Sequence, residues 1–394
     1  MKVAVLAEFY PSRSDAVLGI WAHRQALAAR DAGAEVRVLV LHRLIPPRAS
    51  LADGPRRALE QWRTLARQPR LEVRDGLQVS YVPYVSPPRA RFYPAWGSWA
   101  APPLALALRR LRHSFPFDLI HAHNAVPAGD AARRAHLGKP LVISVHGGDV
   151  LYVAPRYARG PAVLRRTMSR ASLVLANSHE IARLSQALGA RQTAVVHLGT
   201  DLPPPRGGVR LAGPPSLVTV SHLVARKRHA DVLRALAVLA ERHPTLRYVI
   251  VGDGPERVPL EGLAERLGVA ERVEFRGQLE PAAALEQARR CTLFVMPSTE
   301  EAFGVAYIEA MAGCLPAIGC RGEPGPDEIS AAGAGLVLVP PGDIERLSQR
   351  IDELLSDPDR LRETGRWARA TVERNFTWER CGETTLAAYE RALR

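Results

Sequence analysis

Two glutamates and a glycine turn in the second half of the chain could together bind a ligand that is anionic in its middle. Glu301 and Glu309 lie eight positions apart, with the turn 302–304 directly after Glu301. The apolar run 291–296 predicts a buried strand before this turn, and the Ala-rich segment 305–312 predicts a helix after it. Free backbone N–H groups and the positive end of the helix dipole make such a turn an anion site. A nucleotide-sugar, which has phosphates in the middle and hydroxyls at both ends, would fit.

A lysine and a histidine also occupy positions where ligands commonly bind. Lys227 follows the predicted strand 217–220 and precedes a predicted helix, and His146 ends the predicted strand 141–145 in the sequence His-Gly-Gly-Asp. Side chains at the carboxyl ends of parallel strands lie at the ligand edge of a doubly wound sheet. The two glycines after His146 allow close approach of a ligand or a neighbouring backbone.

The elements that must position these residues alternate between β-rich runs and Ala-rich amphipathic stretches. In the first half, strands are predicted at 3–6, 36–41, 79–84, 119–121, 141–145, 173–176 and 193–196, and helices at 20–32, 104–112, 129–135, 161–170 and 180–188. In the second half, strands are predicted at 217–220, 247–251, 273–276 and 291–296, and helices at 230–242, 260–267 and 305–312. This alternation predicts two α/β, Rossmann-like, doubly wound domains with a cleft between them. The Pro- and Gly-rich segment 203–215 predicts the linker.

The segment 297–316, PSTEEAFGVAYIEAMAGCLP, resembles the E-x7-E motif of retaining glycosyltransferases of family 4, which have the two-domain GT-B fold. The resemblance implies an acceptor-side Rossmann-like domain at 1–202 and a donor-binding Rossmann-like domain at 203–375. It also implies that the last helix, at 376–394, packs back on the first domain.

The family assigns a role to each part of this motif. Its first glutamate contacts the donor sugar, its last glutamate contacts the ribose hydroxyls, and amides of the turn hold the sugar or the phosphates. The resemblance therefore implies donor contacts for Glu301, Glu309 and the backbone of Phe303 and Gly304.

Other predicted strand ends and turns match the family as well. Gly19 is similar to a glycine that lies against the donor diphosphate and the acceptor, and Arg276 lies where the family places the nucleobase. Lys227 is expected on the donor phosphates. His146 matches a histidine near the transferred sugar, so the expected catalytic residues are His146, Lys227 and Glu301.

The phosphate-binding segment departs from the family pattern G-R-L-x-x-x-K-G. This chain has Ser221 for the first glycine, His222 for the arginine and Arg228 for the last glycine, while Lys227 is kept. A histidine is a poorer phosphate partner than an arginine, because it is largely neutral near pH 7. His222 is therefore expected to bond at most one phosphate oxygen, and Arg226 and Arg228 are candidates to compensate.

No metal site is expected. His121 and His123 end a predicted strand with H-x-H spacing, but no nearby Asp, Glu or Cys completes a metal site. Asp357 and Asp359 have D-x-D spacing, but they precede a predicted helix, and we interpret them as its cap. His123 and Asp149 are expected on the acceptor side.

The charge is distributed unevenly along the chain. Residues 1–200 carry 28 Lys+Arg and 12 Asp+Glu, a net charge of +16, whereas residues 201–394 carry 25 and 28, a net charge of −3. The basic half predicts an anionic partner such as a membrane surface or a lipid-phosphate acceptor. A nucleic acid is less favoured, because no helix-turn-helix, zinc or RNP-type signal is present.

Composition favours a cytoplasmic protein. The 47% hydrophobic content is typical of globular proteins, and no apolar run reaches the length of about 18 residues that a membrane span needs. The N-terminus, MKVAVLAEFYP, has too short an apolar run for a signal peptide. The four cysteines form no C-x-x-C pair, which favours buried thiols in a reducing compartment. We expect the protein in the cytoplasm, with peripheral binding at the inner face of the plasma membrane.

The segment 84–101 is rich in proline, aromatic residues and arginine, and it predicts a long loop before a helix at 104–111. Tryptophan, tyrosine and arginine suit the headgroup zone of a bilayer, so the segment could bind a membrane or an acceptor. Its aromatic rings could equally pack on their own domain, and the sequence leaves both interpretations open.

With these features, the resemblance to family 4 implies a metal-independent, retaining hexosyltransferase that moves a sugar from a nucleotide-diphosphate sugar to a hydroxyl of a lipid-linked or cell-envelope saccharide. An inverting GT-B transferase or a phosphorylase is one alternative. A non-catalytic module that binds a sugar-nucleotide or a nucleic acid is another. A dinucleotide-dependent oxidoreductase is not favoured, because the first strand is not followed by G-x-G-x-x-G.

Overall fold

The computed structural model describes residues 1–12, 15, 17–46, 54–204, 209 and 213–394. These residues form two compact units, one of 1–198 with 378–394 and the other of 199–377. The bounds lie within four residues of the domain bounds expected from the sequence. Most of the segment predicted as the linker lies outside the described residues.

The first unit is built on a mainly parallel sheet. Its strands are β1 (Lys2–Ala7), β2 (Glu35–Arg43), β3 (Leu71–Arg74), β4 (Leu77–Tyr84), β5 (Leu119–His123), β6 (Leu141–Val145), β7 (Leu173–Ala176) and β8 (Thr193–Val195). They are ordered β3-β4-β2-β1-β5-β6-β7-β8, and every neighbouring pair is parallel except β3 and β4. The carboxyl ends of β1, β5 and β6 are therefore neighbours on one edge of this sheet.

Helices alternate with these strands, as the sequence predicts. They are α1 (Ile20–Asp31), α2 (Pro55–Ala66), α3 (Arg89–Phe92), α4 (Trp96–Ser114), α5 (Asp130–Ala135), α6 (Ala154–Arg156), α7 (Gly160–Met168) and α8 (His179–Ala187). Strands β5, β6 and β7 are buried along their whole length, which is typical of parallel strands covered by helices on both faces.

The second unit is a fully parallel sheet with helices between its strands. The strands are β9 (Ser216–Val220), β10 (Arg247–Val251), β11 (Val273–Gly277), β12 (Leu293–Val295), β13 (Ala317–Cys320) and β14 (Leu336–Val339). Their order is β11-β10-β9-β12-β13-β14, the doubly wound order in which the winding reverses between β9 and β12. Ligands of such sheets bind at the carboxyl ends of the strands at this reversal. The predicted fold class, α/β with two Rossmann-like doubly wound sheets, is thus confirmed.

The helices of the second unit, and the last helix of the chain, follow in order. They are α9 (His229–Val238), α10 (Arg257–Arg266), α11 (Pro281–Arg289), α12 (Val305–Ala312), α13 (Pro324–Ala332), α14 (Ile344–Leu355), α15 (Pro358–Asn375) and α16 (Trp378–Leu393). Helix α16 belongs to the first unit and lies along α1. Gln25 donates a hydrogen bond to Thr385 at 3.1 Å, and the Arg24 guanidinium lies 5.2 Å from the Trp378 ring.

The prediction of a long loop at 84–101 is wrong from Arg89 onward, because the short helix α3 covers Arg89–Phe92 and helix α4 already begins at Trp96. Pro102 and Pro103 lie inside this helix, whereas the sequence analysis took them as residues before its start. Trp96, Ala100, Leu104 and Leu108 repeat every four positions and are buried, and this continuous apolar stripe stabilises the helix across the prolines. Of the aromatic residues in the segment 84–101, Tyr93 and Trp96 are buried, whereas Phe92 and Trp99 are exposed.

Three strands were not predicted from the sequence. Strand β3 is short and polar at alternate positions, and β13 and β14 have four residues each. Strand β3 has only two apolar residues and β13 contains a glycine, so their patterns are weak. Strand β14 is apolar throughout, and its pattern would have allowed its prediction. Among the described residues, no helix is both long and apolar enough to cross a bilayer.

Candidate functional site

Four polar side chains of the second unit converge after β12, and we name them the Glu301 cluster: Arg226, Lys227, Ser298 and Glu301. Lys227 Nζ donates a short hydrogen bond to Glu301 Oε2, and Ser298 Oγ donates to the same oxygen at 3.2 Å. Arg226 Nη1 lies 3.7 Å from it. Burial alone would raise the pKa of the Glu301 carboxyl, but the charges of Lys227 and Arg226 and the donated hydrogen bonds hold it below its ordinary value. Glu301 is therefore an ionised carboxylate.

The turn after Glu301 requires a glycine. Gly304 has a φ of +85°, and a Cβ there would lie 2.5 Å from the Tyr307 ring and 3.3 Å from Glu301 Cγ. The Tyr307 hydroxyl lies 3.0 Å from Ser298 Oγ and donates a short hydrogen bond to the Met296 carbonyl. The start of helix α12 is thus fixed directly beside the Glu301 cluster, where its free N–H groups favour an anion.

The other residues of the predicted motif lie on the same turn and helix. Phe303 is buried, and its ring centroid lies 5.7 Å from that of Phe376. Glu309 is half-buried on α12. Burial, together with the negative charge of Asp201, raises the pKa of its carboxyl to about 7. The ribose contact expected for Glu309 stays a prediction.

Two of the expected donor residues lie apart from the Glu301 cluster. His222 is exposed, and within the described part of the chain it forms no hydrogen bond or ion pair with the cluster. Arg276 lies near the end of β11 and pairs with Glu274 at 2.8 Å. Strands β10 and β9 lie between β11 and β12, which corresponds to about 14 Å at the usual strand spacing.

The structure separates the two arginines that flank Lys227. Arg226 points to Glu301, whereas Arg228 donates a hydrogen bond to Asp231 at 2.5 Å. Arg228 also has a φ of 56°, so the backbone turns at this residue and directs its side chain elsewhere. Arg226 is therefore the cation that stands beside Lys227, a choice that the sequence left open.

In the first unit, two histidines form a hydrogen-bonded stack that we name the histidine pair. His123 Nδ1 lies 3.0 Å from His146 Nε2, and the rings are 5.2 Å apart and within 5° of parallel. Strands β5 and β6 are adjacent, so the side chains at their ends meet. Burial lowers the pKa of His146 to about 4 and that of His123 well below its ordinary value. Both rings are therefore neutral at pH 7.

Each ring of the histidine pair has one nitrogen that takes no part in the contact between the two rings. His123 Nε2 and His146 Nδ1 are buried and have no hydrogen-bond partner among the described residues, and the same holds for the nearby Trp21 Nε1. A neutral imidazole has one donor and one acceptor nitrogen. The pair uses one of each internally, so it presents one donor and one acceptor outward, as a hydroxyl would require.

Asp149 and Gly19 hold loops of the first unit in place. Asp149 accepts hydrogen bonds from the backbone N–H groups of Ala125 at 2.9 Å and Val126 at 3.1 Å. Burial raises the pKa of the Asp149 carboxyl to about 7, although these two hydrogen bonds act to lower it. Gly19 has a φ of +72°, and a Cβ there would come within 2.2 Å of the Phe9 backbone. Their expected ligand contacts stay predictions.

Glu8 is a candidate that the sequence analysis missed. It follows β1, and its carboxylate accepts a hydrogen bond from the Tyr93 hydroxyl at 2.7 Å. Burial raises the pKa of Glu8 to about 7, against the lowering effects of the Arg89 charge and the Tyr93 hydrogen bond. Its position at the end of the first strand of a doubly wound sheet was the signal that could have identified it.

The H-x-H and D-x-D patterns both have structural partners. His121 Nδ1 lies 2.7 Å from the Tyr389 hydroxyl, and its Nε2 lies 2.7 Å from Ser144 Oγ. Asp357 accepts a hydrogen bond from the N–H of Arg360 at 3.0 Å and caps α15, so the interpretation as a cap is confirmed for Asp357. It is wrong for Asp359, which is the second residue of α15 and pairs with Arg362 at 2.7 Å.

Comparison with known proteins identifies the family of the chain. Two family models match the chain: Glycosyltransferase Family 4 over residues 18–203 and Glycosyl transferases group 1 over residues 209–371. D-inositol 3-phosphate glycosyltransferase of Segniliparus rotundus is 31% identical over 308 residues, which cover 72% of this chain and 67% of that protein. GDP-mannose-dependent alpha-(1-6)-phosphatidylinositol monomannoside mannosyltransferase of Mycolicibacterium smegmatis is 29% identical over 304 residues, which cover 71% and 78%.

Solved structures show the same fold. Sucrose-phosphate synthase from Thermosynechococcus elongatus aligns with a TM-score of 0.76 at 20% sequence identity, over 99% of this chain and 98% of that one. The fold and the matching family models define a glycosyltransferase with the GT-B fold. The chain belongs to glycosyltransferase family 4, as its E-x7-E segment predicts.

Proposed function

We propose that this glycosyltransferase moves a sugar from a nucleotide-diphosphate sugar to a hydroxyl acceptor, with retention of the anomeric configuration and without a metal ion. The observation that carries the proposal is the Glu301 cluster, in which Lys227 and Arg226 meet an ionised carboxylate beside the start of α12. The two cations and the free N–H groups of the helix can neutralise charge on a departing diphosphate. A metal ion would then not be needed for that purpose.

The state of Glu301 supports retention. Its carboxylate already receives Lys227 and Ser298, and its lowered pKa makes it a weak proton donor or acceptor near pH 7. We infer that it positions the donor sugar, and that the leaving diphosphate helps to remove the proton of the acceptor hydroxyl on the same face. Lys227 would stabilise that diphosphate. His146, with an unpartnered nitrogen, would bond a hydroxyl of the transferred sugar or of the acceptor.

An inverting transferase is a second candidate, because one carboxyl could act as a base. The pKa of Glu8 is raised to about 7, close to the value that suits proton abstraction at neutral pH. Asp149 has a similarly raised pKa, but both of its oxygens accept backbone hydrogen bonds. The anomeric configuration of the product distinguishes the two mechanisms.

We infer a lipid-linked or cell-envelope saccharide as the acceptor, and a peripheral location at the cytoplasmic face of the plasma membrane. The net charge of +16 over residues 1–200 supports an anionic partner. The mycobacterial relative is named for GDP-mannose and for phosphatidylinositol monomannoside, a nucleotide-sugar donor and a lipid acceptor.

The test is to incubate the protein, in metal chelator, with UDP-, GDP-, ADP- and dTDP-sugars and to detect the released nucleoside diphosphate. NMR of the glycosylated product then assigns its anomer. Release from one donor together with a retained configuration is the expected result. An inverted configuration would contradict the retaining mechanism and favour the inverting one, with Glu8 as the base. Activity that appears only after a divalent metal is added would contradict metal independence.

A further inference from the structure

A further buried polar group without a partner lies next to the histidine pair. Asn177 follows strand β7, and its Oδ1 is buried with no hydrogen-bond partner in the part of the chain that the structure describes. Strands β6 and β7 are parallel neighbours with Val145 opposite Ala176, so Asn177 follows β7 at the level where His146 follows β6. Neighbouring strands lie about 4.8 Å apart. Asn177 is therefore one strand away from His146.

Trp21, in the first turn of α1, lies on another side of His146. The centroids of the Trp21 and His146 rings are 6.1 Å apart, and Trp21 Nε1 is buried without a partner among the residues described. Folded proteins leave few buried polar atoms unpaired, so neighbouring unpaired atoms indicate a place for water or a ligand. We name Trp21, His123, His146 and Asn177 the neutral polar cluster.

The neutral polar cluster offers hydrogen-bond donors and acceptors but no charge. The indole N–H of Trp21 only donates, the Oδ1 of Asn177 only accepts, and the histidine pair presents one nitrogen of each kind. Burial lowers the pKa of both histidines, so neither ring is charged at pH 7. A hydroxyl both donates and accepts, so neighbouring hydroxyls of one polyol can satisfy all these atoms. A carboxylate has no hydrogen to donate to Asn177, and its burial without a counter-charge is costly.

The neutral polar cluster lies close to the surface beside His146. The rings of Trp21 and His146 belong to half-buried residues, and Gly148 is exposed. A Cβ added at Gly148 would meet no atom within 4 Å, so the backbone that follows His146 borders open space. A ligand can approach the cluster from this side.

We propose that Trp21 and Asn177 bind neighbouring hydroxyl groups of an uncharged sugar or cyclitol, the part of the acceptor that receives the transferred sugar. The inference deepens the proposed function and rests on it, because the Glu301 cluster is there assigned to the donor. An acceptor that carries phosphate or carboxylate groups would hold them outside the neutral polar cluster. Ordered water is the alternative occupant of these positions.

The test is NMR titration of the full chain, without donor, with three uncharged compounds: methyl mannoside, methyl glucoside and myo-inositol. Mannose phosphate, methyl glucuronide and inositol phosphate are their charged counterparts. At least one uncharged compound is expected to bind, and its charged counterpart should bind at least about tenfold more weakly.

Two variants remove single polar groups from the neutral polar cluster. Trp21→Phe keeps an aromatic ring without the N–H, and Asn177→Leu keeps a similar volume without the amide. Each should weaken binding of the uncharged compound about threefold to tenfold, as expected for the loss of one hydrogen bond. Binding of the donor, measured by thermal shift, should be unchanged in both variants.

Trp378→Phe and Gln68→Leu are the matched controls. Trp378 is another half-buried tryptophan of the first unit, and Gln68 Nε2 is also buried without a partner among the described residues, but it lies before β3. Both variants should bind the uncharged compound like wild type.

Three results would overturn the inference. They are no binding of any uncharged compound, equal binding of its charged counterpart, and wild-type affinity of both Trp21→Phe and Asn177→Leu, which would mean that water fills the neutral polar cluster. If wild type still releases nucleoside diphosphate from a donor in any of these cases, the proposed function stands and only this inference fails.

Discussion

The Glu301 cluster and the histidine pair both contain buried titratable groups, but these groups are stabilised in different charge states. In the cluster, opposite charges meet, and the carboxylate of Glu301 stays ionised. In the histidine pair, burial alone lowers the pKa of His146, and the ring stays neutral. A charged cluster can exchange an internal ionic partner for a ligand phosphate, whereas a neutral pair with open nitrogens suits hydroxyl groups. Under the proposed function, the phosphates of the donor would bind at the second unit, and hydroxyl groups would bind at the histidine pair.

The largest expected effect is the loss of the central cation. Lys227→Ala should reduce turnover about 10²- to 10³-fold, because charge on the leaving group loses its main partner. Lys139→Ala is the matched control, since Lys139 is an exposed lysine of the first unit. Steady-state kinetics with the active donor measure both variants. Near-wild-type turnover of a folded Lys227→Ala protein would refute the assignment.

A smaller effect is expected at the neighbouring arginine. Arg226→Ala should reduce kcat/KM about tenfold, since its distance of 3.7 Å from Glu301 makes it the weaker cation of the cluster. His222→Ala and Arg228→Ala should change kcat/KM less than about threefold, because His222 is exposed and Arg228 is bound to Asp231. A larger loss of kcat/KM for His222→Ala than for Arg226→Ala would indicate that His222, which stands where the family has an arginine, contacts the donor phosphates.

The histidine pair should affect stability in acid. Burial lowers the pKa of His146 to about 4, whereas an unfolded histidine titrates at about 6.5. The neutral ring therefore stabilises the fold fully above about pH 6.5, and this stability is lost as the pH falls toward 4. Replacing it by glutamine, His146→Gln, should reduce the slope of unfolding free energy in this window by up to about 1.4 kcal/mol per pH unit. Urea unfolding measures the slope, and an unchanged slope would mean that the ring is not buried in its neutral form.

Glu8 should show the opposite sign with the smallest magnitude. Burial raises its pKa from 4.5 to about 7, so its contribution is fully present below about pH 4.5 and is lost as the pH rises through 7. Glu8→Gln keeps an acceptor for the Tyr93 hydroxyl and carries no charge. The variant should be more stable than wild type at pH 8, by on the order of 1 kcal/mol, and similar to it at pH 5. Lower stability of Glu8→Gln than of wild type at pH 8 would mean that folding does not raise the pKa of the Glu8 carboxyl.

Sequence patterns predicted most of the fold, because the buried parallel strands are apolar runs that end at Gly, Pro or polar residues. Elements with weaker signals were missed or displaced. Strand β3 is short and polar at alternate positions, and the start of α4 was placed after its prolines although its apolar stripe begins at Trp96. Backbone pairing with β4 holds β3, whose Leu71 and Val73 are exposed, whereas the buried apolar stripe holds α4. Local patterns reveal neither contact.

The candidate site was predictable residue by residue but not in its contacts. The family motif located Glu301 and Lys227, yet nothing in the sequence showed that they form an ion pair across 74 positions. The choice of Arg226 over Arg228 depends on a left-handed backbone at Arg228 and on its bond to Asp231. The pairing of His123 with His146 follows from the adjacency of β5 and β6, which only the sheet order reveals.

Calorimetric titration with the nucleoside diphosphate of the active donor tests the central claim most directly, because it isolates binding at the Glu301 cluster from the acceptor and from the membrane. Wild type and Lys139→Ala should bind it alike, and Lys227→Ala should bind at least about tenfold more weakly, with the corresponding nucleoside bound equally by all three. Equal affinity of Lys227→Ala and wild type for the diphosphate would contradict the account, because the charged cluster would then not be where the donor phosphates bind.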